Sequence, residues 1–324
     1  MRYFLGCDVA KAKVDVSCID STGIELWADT IVNEASAIAA LLLTVAGGYP
    51  KDELVAVVES TGCYHQPVTE ASYAVGVGCL VYNPIITKQQ IKATVRGKKT
   101  DRTDATMIAR LGLRGEGRLY TPEPYKSTKY HARSAQKLSV LANSFKRHHS
   151  HMVSLLEDEL SHEAQQMMAS IQGSIAAARK QLYKDMALSA EGEIFHRLQT
   201  IKGIGPYVAA SIIGEIQDMA RFKSAKALTA YAGLDPKVRQ SGKTLNSTGR
   251  LTKRGSSYLR RSIFIAGSVA RRYDPYLKAL YDKKRAEGKS YTVATCAVAR
   301  KLLAIVRAVW LSGQDYDPAF TDKV

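Results

Sequence analysis

The run Leu54-Val55-Ala56-Val57-Val58 constrains this chain more than any other stretch. A short, unbroken apolar and β-branched run is what a central strand buried on both faces shows. It ends in Glu59, and Ser60-Thr61-Gly62 comes next as a turn. A carboxylate therefore stands at the carboxyl end of a buried strand, the edge where ligands of open α/β sheets gather.

A second carboxylate is placed in the same way. Tyr3 to Ile19 is strand-like, with Ser21-Thr22-Gly23 as a turn and a new apolar run from Leu26, so a hairpin or meander is expected. Asp8 sits among its apolar residues, where an unpaired charge is costly to bury. A strand-end turn is the plainer reading of that residue. Ser36 to Ala46 reads as a helix ended by Gly47-Gly48, Gln66 to Tyr73 as a helix, and Val77 to Tyr82 as a strand closed by Asn83-Pro84.

Arg96 to Ala105 reads R-G-K-K-T-D-R-T-D-A. A helix starting near Thr100 would put Asp101 and Asp104, three apart, on one face. Basic residues Arg96, Lys98, Lys99 and Arg102 surround the pair. Paired carboxylates beside cations suit a Mg²⁺ site acting on a phosphate. A capped, salt-bridged helix start is the alternative for these residues alone.

Charge identifies the class of partner. The formal charge is +16, and Lys237 to Lys289 holds 15 Lys and Arg against three acids. Such an excess points to nucleic acid first and to an anionic membrane surface second. The longest uncharged run, Ala71 to Thr87, is too short and too interrupted to span a bilayer. Five cysteines, with no C-x-x-C pair, suggest neither a disulfide framework nor a zinc ribbon and fit a reducing cytosol.

Three regions are expected. Residues 1–125 form an α/β domain, and Pro122 and Pro124 mark its end. Residues 126–196 are helical: Leu138, Leu141, Phe145, His148, Met152 and Leu155 alternate steps of three and four, as do Met168, Ile171, Ile175, Ala178 and Leu182. That pattern suits a coiled coil or helical hairpin that builds an oligomer, or a long helix packed on its own domain. His148 and His151 share a face, but a solvated or nucleic-acid-facing helix is the better reading than a metal site.

Residues 197–324 are mainly helical. Lys202-Gly203-Ile204-Gly205-Pro206 resembles a helix-hairpin-helix turn, whose backbone N–H groups and following helix start suit a phosphate. A tight turn is the alternative. Lys237 to Gly255 is polar, basic and glycine-bearing, so an exposed loop or ribbon is expected. Arg239, Lys243, Arg250, Lys253 and Arg254 would contact phosphate, as would the pair Arg260 and Arg261 beyond it. Ser241, Ser247, Ser256 and Ser257 are candidate nucleophiles or simple turn and phosphate contacts, and spacing does not choose among them. Tyr258 to Tyr281 reads as one basic helix and Tyr291 to Leu311 as a closing one.

Strands, carboxylates and a helix in this order describe a ribonuclease-H-like fold. The segments G-C-D-V-A-K, V-V-E-S-T-G-C-Y and K-K-T-D-R-T-D-A resemble the three motifs of the DEDD transposases of bacterial insertion sequences. That family includes Piv-type DNA invertases and bridge-RNA-guided recombinases, and its catalytic domain is similar to the junction resolvase RuvC. The resemblance implies an acidic tetrad of Asp8, Glu59, Asp101 and Asp104 holding two Mg²⁺ ions. Leu228 to Arg261 resembles the family's C-terminal transposase domain, and the resemblance selects Ser241 as nucleophile. Ser60 stands where Ala is expected after the glutamate.

The resemblance implies a recombinase acting on donor and target DNA, guided by an element-encoded bridge RNA. It would work as a dimer or tetramer in the bacterial cytoplasm, on the nucleoid. A Piv-type invertase without guide RNA, or a RuvC-like junction nuclease that needs the tetrad but not Ser241, are the enzyme alternatives. A nucleic-acid-binding scaffold without chemistry is the alternative of another class.

Overall fold

The computed structural model describes residues 2–84, 87, 101–152, 158–188, 192–235 and 251–318. The chain divides into two compact units, Met1–Pro122 and Glu123–Val324.

The first unit is built on a six-stranded sheet in the order β3-β2-β1-β4-β5-β6. The strands are β1 (Tyr3–Val9), β2 (Lys13–Ile19), β3 (Glu25–Val32), β4 (Leu54–Glu59), β5 (Gly78–Tyr82) and β6 (Arg118–Leu119). The first three form an antiparallel meander, β4 and β5 add parallel to β1, and β6 closes the edge antiparallel. Helix α1 (Ala35–Gly48) crosses from β3 to β4, α2 (Gln66–Val75) from β4 to β5, and α3 (Asp101–Gly112) comes after β5. This order and sense are the ribonuclease-H-like arrangement expected from the sequence.

Strand alternation divides the unit into layers. Leu5, Cys7, Leu54, Ala56 and Val58 pack with Ile38 of α1 and Val68 of α2. Phe4, Ile19 and Val57, which point the other way, pack with Ile108, Ala109 and Leu111 of α3. Within the apolar run 54–58 all but the half-buried Val55 are buried, because helices cover both faces of the strand.

The second unit is all helical among its described residues, apart from an isolated bridge at Leu251. Helices α4 (Lys126–Met152) and α5 (Asp158–Leu188) pack antiparallel. Thr128 at the start of α4 meets Met186 at the end of α5 (Oγ1 to Sδ, 3.3 Å). On α5, Leu182 is buried and Met168, Ile171, Ile175 and Ala178 are half-buried between exposed neighbours, which is the stripe read from the sequence, whereas Leu141 and His148 of the stripe read on α4 are exposed.

The core of this unit is formed by α6 (Gly192–Thr200), α7 (Pro206–Ile216), α8 (Ala225–Tyr231), α9 (Ser257–Tyr273), α10 (Pro275–Ala286) and α11 (Tyr291–Ser312). Ser224, Ser256, Asp274 and Ser290 cap α8, α9, α10 and α11, each accepting a hydrogen bond from a first-turn N–H. The single basic helix expected over Tyr258 to Tyr281 is in fact two. Asp274 ends α9 in extended backbone and caps α10, and Pro275 opens α10, where its missing N–H does no harm.

Candidate nucleic-acid-processing site

The parallel pairing of β1 with β4 brings two of the acids together. Cys7 lies opposite Val58, so Asp8 and Glu59 come next, side by side, where the strands part. Alternation from Phe4 and Val57 puts both carboxylates on the face that α3 covers.

Helix α3 runs antiparallel to β1. Gly112 lies over Phe4 and Val57, while Ala105 and Ala109 lie over Gly6. The start of α3 therefore reaches the end of β1 that carries Asp8, and half-buried Asp104 belongs to that start. Asp101 is the first residue of α3, and its side chain lies outside the described set.

The approach is close because residue 6 is glycine. A Cβ there would stand 2.8 Å from Ala109 Cβ, and nearer still to backbone atoms of Ala105 and Ala109. Thr106 fixes the next turn by donating to Glu25 Oε2 on β3 at 2.7 Å.

Glu59 is oriented by two hydroxyls. Thr87 donates to its Oε2 at 2.5 Å and Thr61 to its Oε1 at 3.3 Å. Asn33 ties the neighbouring turns together, donating to Ala10 O at 2.8 Å and Tyr64 O at 3.0 Å.

A further carboxylate at this edge escaped the sequence reading. Asp15 faces Asp8 across the β1–β2 ladder, on the same face. It accepts from Thr30 at 2.6 Å and pairs with Lys13 at 2.9 Å. Burial pushes its pKa up, but Thr30 and Lys13 outweigh that and hold the carboxyl below the usual range. The tight turn over Ala10 to Ala12 was the available clue, since a hairpin closed there pairs residues 8 and 15.

Oxygen donors of this kind suit a hard divalent cation. Among the described residues no three Asp, Glu, His or Cys side chains gather into a metal-holding cluster. Asp101 belongs to the expected tetrad but not to that set.

Many of the expected phosphate contacts fall elsewhere. Lys98, Lys99, Arg239, Ser241, Lys243 and Arg250 lie outside the described residues, as does the side chain of Arg102. The flanks of 236–250 are described. Thr252 N donates to Asp235 O at 2.9 Å, and Ser256 N to Tyr231 O at 2.7 Å.

Lys202, Lys253, Arg254 and Arg261 are exposed to solvent. Arg260 is half-buried and donates to Ala232 O at 3.2 Å, so at least part of its guanidinium serves the fold. Gly203 has φ +91°, and a Cβ there would stand 2.6 Å from Ala266 O and 2.7 Å from Ala270 N. Its requirement for glycine comes from close packing on α9. Gly205 has open space where a Cβ would be and caps α7 without a side chain.

The sequence reading also missed Glu215, which is buried in α7. Arg133 of α4 grips it with two hydrogen bonds of 2.5 and 2.9 Å, and Ser256 donates to Oε2 at 2.7 Å. One carboxylate thus joins α4, α7 and the start of α9. Ser256, one of the four candidate serines, is used in this way and as the α9 cap. A lone acid in the apolar run V-A-A-S-I-I-G-E-I was the clue.

A transposase model of the DEDD IS110 type matches residues 5–158, and the model of the transposase IS116/IS110/IS902 family matches residues 195–282. The chain belongs to this transposase family. It is 26% identical over 332 residues to the pilin gene-inverting protein of Moraxella bovis, and the alignment covers 98% of each protein. It is 35% identical over 123 residues to the 42 kDa protein of insertion element IS900 of Mycobacterium paratuberculosis, covering 38% of this chain and 31% of that one. The Thermus thermophilus RuvC bound to a Holliday junction aligns with 37% of this chain and 100% of its own, at TM-score 0.30 and 15% identity. The fold assignment rests on the strand order and sense rather than on that likeness.

Proposed function

We propose that the chain cuts and rejoins DNA as the recombinase of a mobile element. The observation that carries this reading is the register placing Asp8 beside Glu59 beneath the start of α3. Asp8, Glu59, Asp101 and Asp104 would hold Mg²⁺, two ions in the fullest arrangement. The bound metal would supply charge neutralisation at a phosphodiester and assist its displacement.

Ser241 is the proposed nucleophile. Its Oγ bonds to a DNA phosphorus, the bond from phosphorus to one sugar oxygen breaks, and the departing oxygen takes up the proton released by the serine. Attack by another strand's hydroxyl reverses the step and completes exchange. Arg239, Lys243, Arg250, Lys253, Arg254 and Arg261 hold the strand, with Lys98, Lys99 and Arg102 on the acidic side. Lys202 and the Gly205 turn contact a phosphate.

The full reading includes an element-encoded guide RNA and a dimer or tetramer in which the serine of one subunit serves the acids of another. It operates in the bacterial cytoplasm. Among the described residues no helix is long and apolar enough to cross a membrane. A second reading, inversion without a guide, is favoured by the end-to-end similarity to a pilin gene-inverting protein.

The test is incubation with labelled DNA and Mg²⁺, then a denaturing gel with and without protease. A protein–DNA adduct is expected, lost in Ser241→Ala and in Asp8→Asn. Cutting by Ser241→Ala at the parent rate would instead mean hydrolysis of the junction-nuclease kind. Sequencing RNA that co-purifies with the chain separates guided from unguided recombination.

A further inference from the structure

Lys13, a cation beside the acidic edge, has no part in the chemistry above. It opens β2 two residues before Asp15, so both side chains lie on the face that α3 covers. Asp15 faces Asp8 directly across the β1–β2 ladder. Lys13 is therefore the diagonal neighbour of Asp8, on the side nearer the hairpin turn, where Ala10 N donates to Lys13 O at 2.9 Å. Diagonal residues of an antiparallel pair lie about 7–8 Å apart, within reach of a long side chain.

Two contacts fix the ammonium. Lys13 Nζ lies 2.9 Å from Asp15 Oδ2, and Thr30 Oγ1 donates to Asp15 Oδ1 at 2.6 Å. Each oxygen of Asp15 thus already has a partner. The Asp15 side chain is 12% exposed, whereas that of Lys13 is 46% exposed. The carboxylate is a buried anchor, and the ammonium it holds is open to solvent beside Asp8.

The needs of the sheet do not account for this arrangement. Like charges directly opposite one another are destabilising, and a half-exposed ion pair returns little. A neutral pair at positions 13 and 15 would suit the ladder as well. A DNA phosphate, however, must approach an edge lined by carboxylates, and a fixed ammonium at the rim offsets that repulsion and can donate to the phosphate oxygens. We infer that Lys13 binds the DNA phosphate presented to the acidic edge, and that Asp15 is the positioning residue that holds its ammonium there. The inference rests on the recombinase reading and adds a substrate contact from the first unit's own hairpin.

Two measurements on the full chain test it. The first is fluorescence anisotropy with a labelled DNA duplex over a range of salt, with Ca²⁺, which also takes oxygen ligands, in place of Mg²⁺. Lys13→Gln is expected to make the salt dependence shallower by about 0.9, the step for one duplex phosphate contact. Lys13→Arg keeps the charge and is expected to keep the parent's slope. The slope reports charges in contact with DNA, so a loss of stability does not mimic the effect. The second is the rate of adduct formation in Mg²⁺ at saturating DNA. Lys13→Gln is expected to lower it about 100-fold, the scale for one donor at a developing charge. Asp15→Asn still accepts from Thr30 but no longer holds the ammonium, and is expected to lower the rate as well. Because Asp15 acts through Lys13, Lys13→Gln/Asp15→Asn should match Lys13→Gln alone.

An unchanged slope in Lys13→Gln overturns the proposal, as does the parent's rate in Asp15→Asn. So does recovery of that rate in the double variant, which would make Lys13 a counter-ion of Asp15 and nothing more. If the parent itself forms no adduct, the recombinase chemistry fails, and the salt slope still decides the Lys13 contact. An adduct in the parent with a slope indifferent to Lys13→Gln counts against this contact alone.

Discussion

Substituting Gly6 by alanine tests the architecture of the acidic edge without touching an acid. The new Cβ would sit 2.8 Å from Ala109 Cβ, against an ordinary contact of 3.4 Å, and closer still to the α3 backbone. Relief requires α3 to withdraw from β1 by more than about 0.6 Å, because helix backbone cannot fold aside as a flexible side chain can. Overpacking of this kind costs about 1–3 kcal/mol, to be read from urea unfolding. The functional loss should be larger than that cost suggests. Asp104 travels with α3 while Asp8 and Glu59 stay in the sheet, and a misplacement near 1 Å costs on the order of 100-fold in rate. Gly6→Ala should therefore remain folded, retain DNA binding and lose adduct formation by about that factor. A folded Gly6→Ala protein with the parent's rate would refute the claim that α3 sets the spacing of the carboxylates.

The second unit supplies two more expected outcomes. Arg133→Met leaves Glu215 buried without its cation and should destabilise by about 3 kcal/mol in urea, whereas Arg133→Met/Glu215→Leu should recover much of that loss; equal losses would rule out the pair as the cause. Tyr316→Phe removes the hydrogen bond to Asp274 and should cost about 1.5 kcal/mol near pH 8. Burial, then the Asp274 carboxylate, raises the Tyr316 pKa in the folded chain. Its stabilisation is therefore complete below the unfolded tyrosine value of about 10 and is lost as pH rises toward the folded value. Melts of parent and variant should converge above pH 10, and a constant gap would contradict the assignment.

Local features were legible and cross-chain ones were not. The run 54–58 and the acids at residues 8 and 59 could be read because a buried strand and its end leave a mark within a few residues. The caps Ser256 and Asp274 are just as local, yet neither was read as one: Ser256 stood among four candidate serines, and the Asp274-Pro275 break was overlooked in favour of continuous basic character. Asp15 is a residue of β2 whose meaning comes from the strand it faces. Glu215 is one acid in an apolar helix until Arg133, 82 positions earlier, arrives beside it. Gly203 resembled a phosphate-binding glycine, and only the packing of α9 reveals its other constraint.

The route of the chain through the first unit has a consequence for its synthesis. Asp8 is made before Glu59, which follows β2, β3 and α1, and Asp104 comes later still, with the helix that covers the opposite face. A nascent chain that stops before Gly112 can pair strands, yet it lacks the complete layer that brings the last acids to the edge. For a member of a transposase family, this topology delays assembly of the proposed cutting centre until the whole first unit has been made.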